Sequence, residues 1–239
     1  MFLKIILLLL IPFVVVFLPR EVLAFGPGAH IELGLKLIEI GPPCFRELTG
    51  SLGLAFIYGN LAPDFFIAPA RFKRLYHSFE AFESLISRAQ KPCEIAFSLG
   101  YGTHLLADNV AHGHLIPALE RRLDLPGRLI HYYFEWTLER NRGQNFFLLK
   151  GIYLWPGHRR LNRFMASSFG LSSKVILSRK LITLSTLRLA KIKRVIPPSN
   201  LVLFFEKRFR AALPECLESM NQILGVKEAD YACRRLRCA

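Results

Sequence analysis

The strongest constraint on this chain is a set of imidazoles and carboxylates embedded in apolar sequence. Six of its seven histidines fall between His30 and His131, interleaved with Asp64, Asp108 and Glu135. The densest stretch is His104-Leu-Leu-Ala-Asp108-Asn-Val-Ala-His112-Gly-His114. His104, Asp108 and His112 are spaced by four residues. That is slightly more than one helical turn, so the three side chains are expected to climb one face of a helix. His131-Tyr-Tyr-Phe-Glu135 repeats the step. A single histidine in a core is usually satisfied by an ordinary hydrogen bond. Here His30, Asp64, His77, His104, Asp108, His112, His131 and Glu135 all lie in apolar or Gly-rich contexts. Eight such groups left uncompensated in one core would be very destabilising. A shared divalent cation compensates all of them together, and imidazole nitrogen with carboxylate oxygen is a ligand set that zinc accepts.

Helical periodicity organises the rest. Helices are expected over 30–40, 45–57, 79–88, 92–111 and 129–139, with residues 58–64 a turn-rich segment. Gly113 and Pro117 are expected to close the central helix. Further on, a basic amphipathic stretch over 171–195 forms one long helix or two shorter ones, followed by helices over 201–213 and 215–224. No run of alternating apolar and polar residues predicts a strand, and no internal repeat is present. The expected fold is all-α, a multi-helix bundle with metal ligands in its core.

Charge divides the 239 residues unevenly. Residues 1–149 hold 14 Lys+Arg against 13 Asp+Glu, whereas residues 150–239 hold 18 against 5. The expected organisation is a near-neutral helical domain over 25–149 and a basic helical extension over 150–239 packing on or beside it. A basic face favours anionic partners, either a phospholipid surface or nucleic acid, and is otherwise simply solvated. No protein partner is inferred.

The N-terminus carries Lys4, an apolar run from Ile5 to Leu18, and Val22-Leu23-Ala24. This is the pattern of an export signal over residues 1–24, with cleavage leaving Phe25 first. The run is short for a spanning helix, which needs about 20 residues; an uncleaved membrane anchor is the alternative. The expected location is periplasmic or secreted, with membrane association. Export permits disulfides, but Cys44, Cys93, Cys216, Cys233 and Cys238 make an odd number and contain no Cys-x-x-Cys pair.

The ordered set Gly26-Pro-Gly-Ala-His30, Asn60-Leu-Ala-Pro-Asp64, His77-Ser-Phe-Glu80, His104-x-x-x-Asp108-x-x-x-His112 and His131-x-x-x-Glu135 resembles the bacterial zinc-dependent phospholipase C family. The resemblance covers residues 25 to about 140. It implies an all-α fold and up to three zinc ions. Asp64, His77, His104 and Asp108 would surround one ion. His112 or His114, with His131 and Glu135, would hold a second. Asp108 would bridge to a third, completed by His30 and the α-amino group of Phe25. The family has Trp at that N-terminal position, so Phe25 is a departure.

The resemblance further implies hydrolysis of a phospholipid or another anionic phosphodiester, with Asp64 as general base or as a ligand that orients water. Phe65, Phe66, Ile67 and Phe72 follow closely and either line an acyl approach or fill the core, while Arg71, Lys73 and Arg74 could meet phosphate. Two other functions fit the residues. One is a zinc-dependent nuclease of the related superfamily. The other is a membrane-associated, non-catalytic protein retaining a structural metal site.

Overall fold

The computed structural model describes residues 27–40, 43–66, 70–123 and 151–190. All regular structure among the described residues is helical. In chain order, α1 (Pro27–Ile40), α2 (Pro43–Ser51) and α3 (Gly53–Leu61) lead into a 3₁₀ turn, Pro63–Phe66. Then come α4 (Ala70–Tyr76), α5 (Phe79–Arg88) and α6 (Pro92–Val110). A π-helical segment, Ala111–Leu115, joins α6 to α7 (Ile116–Leu123). The last described helices are α8 (His158–Ser168) and α9 (Ser173–Ala190).

The central element is α6. Pro92 occupies its first turn, where a missing N–H costs nothing. The Glu94 carboxylate accepts the backbone N–H of Gln90 at 3.1 Å and of Lys91 at 3.2 Å, closing the helix start. From Glu94 to Asp108 every residue is buried. A helix buried all round must be enclosed by others. On one side α3 crosses it so closely that only glycine fits. A Cβ on Gly59 would lie 1.9 Å from the Phe97 carbonyl oxygen, and one on Gly100 would lie 1.9 Å from that of Phe56. On another side α5 buries Ala81, Phe82, Leu85 and Ile86, one helical face, after Ser78 caps its start by accepting from Ala81 N–H. Tyr58, Phe65, Phe97 and Tyr153 fill the remaining core with tilted and edge-on ring contacts.

Several boundaries differ from those expected. The helix expected over 45–57 is two helices, broken at Leu52. Residues 58–61 are not a turn but the end of α3, because Gly59 serves close packing there rather than a bend. Gly113 and Pro117 do not close the central helix, since the chain stays helical through to Leu123. Pro117 lacks the N–H that would bond back into the preceding turn, and the widened π-helical segment Ala111–Leu115 stands just before it. Helix α4 was not expected. Phe65 and Phe66 are core residues, fully enclosed, and do not line an acyl approach. Phe72 is half-buried against Tyr76 beneath the Arg179 guanidinium. Residues 1–24, Phe25, Ile67, the 129–139 helix with His131 and Glu135, and the helices expected over 201–224 lie outside the described residues. None of the described helices is long and apolar enough to cross a membrane. Cys93 carries a free thiol.

One buried cation was not foreseen. Lys180 of α9 donates to the Tyr153 carbonyl and lies over the Tyr58 and Tyr153 rings at 5.4 and 5.7 Å. Burial pushes its ammonium down from 10.5 to about 8. Between those values the unfolded chain binds the extra proton, so folding stability gains from this lysine as pH rises from 8 towards 10.5. Comparing urea midpoints of the wild type and Lys180→Met should show the wild type gaining on the variant across this range. A constant difference would mean that Lys180 is solvated.

Candidate metal centre

Four stretches of chain deliver side chains to one buried point. His30 comes from the first turn of α1, Asp64 from the 3₁₀ turn after α3, His77 from the link between α4 and α5, and His104 and Asp108 from α6. Because Asp108 lies four residues after His104, the two share a face of that helix. The close crossing of α3 and α6 brings the Asn60 carbonyl to 2.9 Å from His104 Nδ1. A carbonyl oxygen only accepts, so Nδ1 carries the hydrogen and Nε2 presents its lone pair inward. The Asn60 side chain donates to the His30 carbonyl at 2.6 Å. Asn60 therefore braces two imidazoles, whose rings stack at 3.8 Å. Tyr101 of α6 donates to the Tyr76 carbonyl and so fixes the chain immediately before His77.

The inward atoms form two groups that could hold metal ions: Asp64, His77 and His104; and His30, His104 and Asp108. His77 Nε2 lies 3.0 Å from His104 Nε2 and 3.3 Å from Asp108 Oδ2. His104 Nε2 lies 3.4 Å from Asp64 Oδ1 and 3.6 Å from Asp108 Oδ2. The other Asp108 oxygen, Oδ1, lies 3.3 Å from His30 Nε2. Direct imidazole–carboxylate hydrogen bonds are shorter, about 2.7–3.2 Å. Zinc bonds of about 2.0–2.2 Å place neighbouring tetrahedral ligands about 3.3–3.5 Å apart. The carboxylate–imidazole separations match that edge. Asp64, His77 and His104 offer one three-ligand position, and Asp108 Oδ2 borders it through His77 and His104. A second position begins at Asp108 Oδ1 and His30.

The protonation states suit a cation. Burial, reinforced by the neighbouring His30, pushes His104 down to about 3, so it is neutral near pH 7. Burial alone would raise the Asp108 carboxyl, but the facing His104, His30 and His77 outweigh it and hold Asp108 well below the ordinary carboxylate range. A neutral imidazole and an ionised carboxylate are the forms that bind metal. Burial, then the charge of Asp64, pushes the Tyr101 hydroxyl well above its usual value and keeps it a donor. The His30 and His104 side chains are sealed from solvent, whereas those of His77 and Asp108 each keep 8% exposure. The small residual exposure of the centre therefore lies at His77 and Asp108.

His112 stands exposed in the π-helical segment, outside both groups, and His114 belongs to the same segment. Sequence reading missed Asn60 as a brace. The available signal was one amide amid Ile57, Tyr58, Leu61 and Ala62, a polar group that burial would force to find a partner.

Residues 29–175, more than half of the chain, match the family model for zinc-dependent phospholipase C. The chain belongs to that family. As a zinc-dependent phospholipase C family member it is a phosphodiester hydrolase that uses zinc, and the buried His/Asp groups are suited to hold it. No curated protein and no solved structure matched the chain significantly. The family match continues past residue 149, and α8, which lies beyond that point, packs against α3, α5 and α6.

Removing the Asn60 brace tests how far the phospholipase C centre depends on it. Asn60→Ala keeps the main-chain acceptor for His104 but frees the His30 segment. Zinc affinity, measured by chelator competition, should fall by about 10- to 100-fold. Unchanged affinity would mean that the centre holds its shape without the side chain.

Proposed function

We propose that this chain is an exported phospholipase C that cleaves membrane phospholipids at a zinc centre built on Asp108. The observation carrying this reading is that both Asp108 oxygens face imidazoles, one towards His30 and the other towards His77 and His104. Asp64, His77, His104 and Asp108 are assigned to one ion, and Asp108 and His30 to a second. His112 or His114, His131, Glu135 and the Phe25 amine are kept as candidates for completing a cluster of up to three.

Bound zinc supplies Lewis-acid activation of water and charge neutralisation at the phosphate. The chain's own residues supply geometry and proton handling. Asn60 and Tyr101 hold the ligating segments still before substrate arrives. Asp64 accepts the proton of the attacking water through one oxygen while the other faces His104. Water attacks phosphorus, the phosphorus–oxygen bond to glycerol breaks, and the glycerol oxygen leaves protonated. The products are a diacylglycerol and a phosphorylated headgroup. Substrate reaches the centre from the His77–Asp108 side.

The test combines elemental zinc analysis with headgroup release from phosphatidylcholine vesicles. The wild type should release phosphorylated headgroup, and a chelator should abolish the release. Asp64→Asn should lose about 10²–10⁴-fold in rate when assayed at saturating zinc. Faster cleavage of single-stranded DNA than of lipid would favour the nuclease reading instead. Full zinc content with turnover of neither substrate would favour a structural metal site.

A further inference from the structure

At the start of α6, away from the metal centre, lies an open groove of about 630 Å³. It runs between the end of α5, the start of α6 and the exposed side of α8. Arg88, Lys91, Arg160 and Arg163 line it, with Glu94 the one acidic group and Phe164 an apolar edge. Arg160 and Arg163 are three residues apart on α8, so both project from one face. That face is opposite Leu161 and Met165, which are buried in the core. Glu94 stands ten residues before His104, about 15 Å along the helix axis.

The groove concentrates positive charge without balancing it. Glu94 already accepts two backbone N–H groups through Oε2, and its other oxygen is 4.0 Å from Arg160. Arg88, Lys91 and Arg163 form no ion pair among the described residues. Four cations against one committed carboxylate leave a net charge of +3 on a concave surface. Like charges held together repel, and a concave wall focuses their field on an incoming anion. Three guanidinium groups present planar donor forks, the geometry that suits the oxygens of a phosphate. Neither Arg160 nor Arg163 contributes to the core, so neither is explained by packing. We propose that this groove is a second anion site, built for a phosphate group and separate from the metal centre. The phosphate is either that of an anionic lipid headgroup or a free phosphate ion.

The experiment uses the zinc-loaded full chain and the double variant Arg160→Gln/Arg163→Gln, with Arg88→Gln as an independent variant on another helix. Inorganic phosphate is titrated calorimetrically at low salt. Vesicles of phosphatidylglycerol mixed with phosphatidylcholine are compared with phosphatidylcholine alone by co-sedimentation. The wild type should bind phosphate at a site that the double variant weakens by about tenfold or more, and Arg88→Gln should weaken the same event. Zinc content and hydrolysis of a soluble short-chain substrate should be unchanged in all three proteins. Loss of phosphatidylglycerol binding in the variants assigns the site to a lipid headgroup. Unchanged vesicle binding with weakened phosphate binding assigns it to the free ion. Equal affinity of wild type and variants for both probes, or no binding of either probe by the wild type, overturns the proposal. Phosphate bound equally by all three proteins belongs to the metal centre. A wild type that binds phosphate in the groove but cleaves no lipid would leave this site standing and remove the proposed function.

Discussion

Asp108→Ala is expected to empty the centre of metal and to destabilise the fold at the same time. The Asp108 carboxylate faces three imidazoles and is held ionised among them. Removing it takes an oxygen from each proposed metal position and leaves His30, His77 and His104 facing one another. Loss of one member of a buried charged group costs about 3–5 kcal/mol. Zinc content should fall below about a tenth of the wild-type value, since ligand loss acts directly on metal binding free energy. Elemental analysis and urea unfolding read the two effects separately. Asp108→Asn preserves shape and one oxygen while removing the charge, so it should fold better than the alanine variant and still bind zinc poorly. Full zinc content in Asp108→Ala would refute the assignment of this residue as the bridge.

Gly100→Ala should damage the fold at least as much, although it touches no ligand. The new methyl group would lie 1.9 Å from the Phe56 carbonyl oxygen and 2.9 Å from the Asn60 amide nitrogen. Both are backbone atoms of α3, so neither can turn aside as a side chain would. Relief requires the two helices to separate, which moves the Asn60 carbonyl away from His104. The expected cost is above about 4 kcal/mol, the range reserved for overpacking and broken buried networks. Gly50→Ala is the control: a Cβ there meets nothing within 4 Å, and alanine is the better helix former by about 1 kcal/mol. Thermal melts of the two variants should therefore move in opposite directions. A Gly100→Ala protein as stable as wild type would show that α3 and α6 do not cross this closely.

The all-α fold was legible because its signals are local. Apolar residues recur at helical spacing through residues 79–110, and Gly41-Pro42-Pro43 punctuates the chain at the end of α1. His30, Asp64, His77, His104 and Asp108 stood out for a different reason: polar groups in apolar context demand compensation, whatever the fold. What stayed hidden depends on contacts between distant segments. Gly59 reads as a turn residue until its close approach to Phe97 is known. Lys180 reads as one more surface charge of a basic stretch until Tyr58 and Tyr153 are seen around it. The π-helical turn also stayed hidden: the periodicity assumes an α-helix, and nothing local in Ala111-His-Gly-His-Leu115 announces the wider turn.

The spread of the ligand-bearing residues along the chain makes the centre a long-range feature of the molecule. His30 and Asp108 are separated by 78 positions, with Asp64 and His77 between them. No fragment ending before α6 contains Asp108, and no fragment beginning after α1 contains His30. The second proposed metal position therefore exists only where the first and sixth helices meet, so zinc bound there ties the two ends of this segment together.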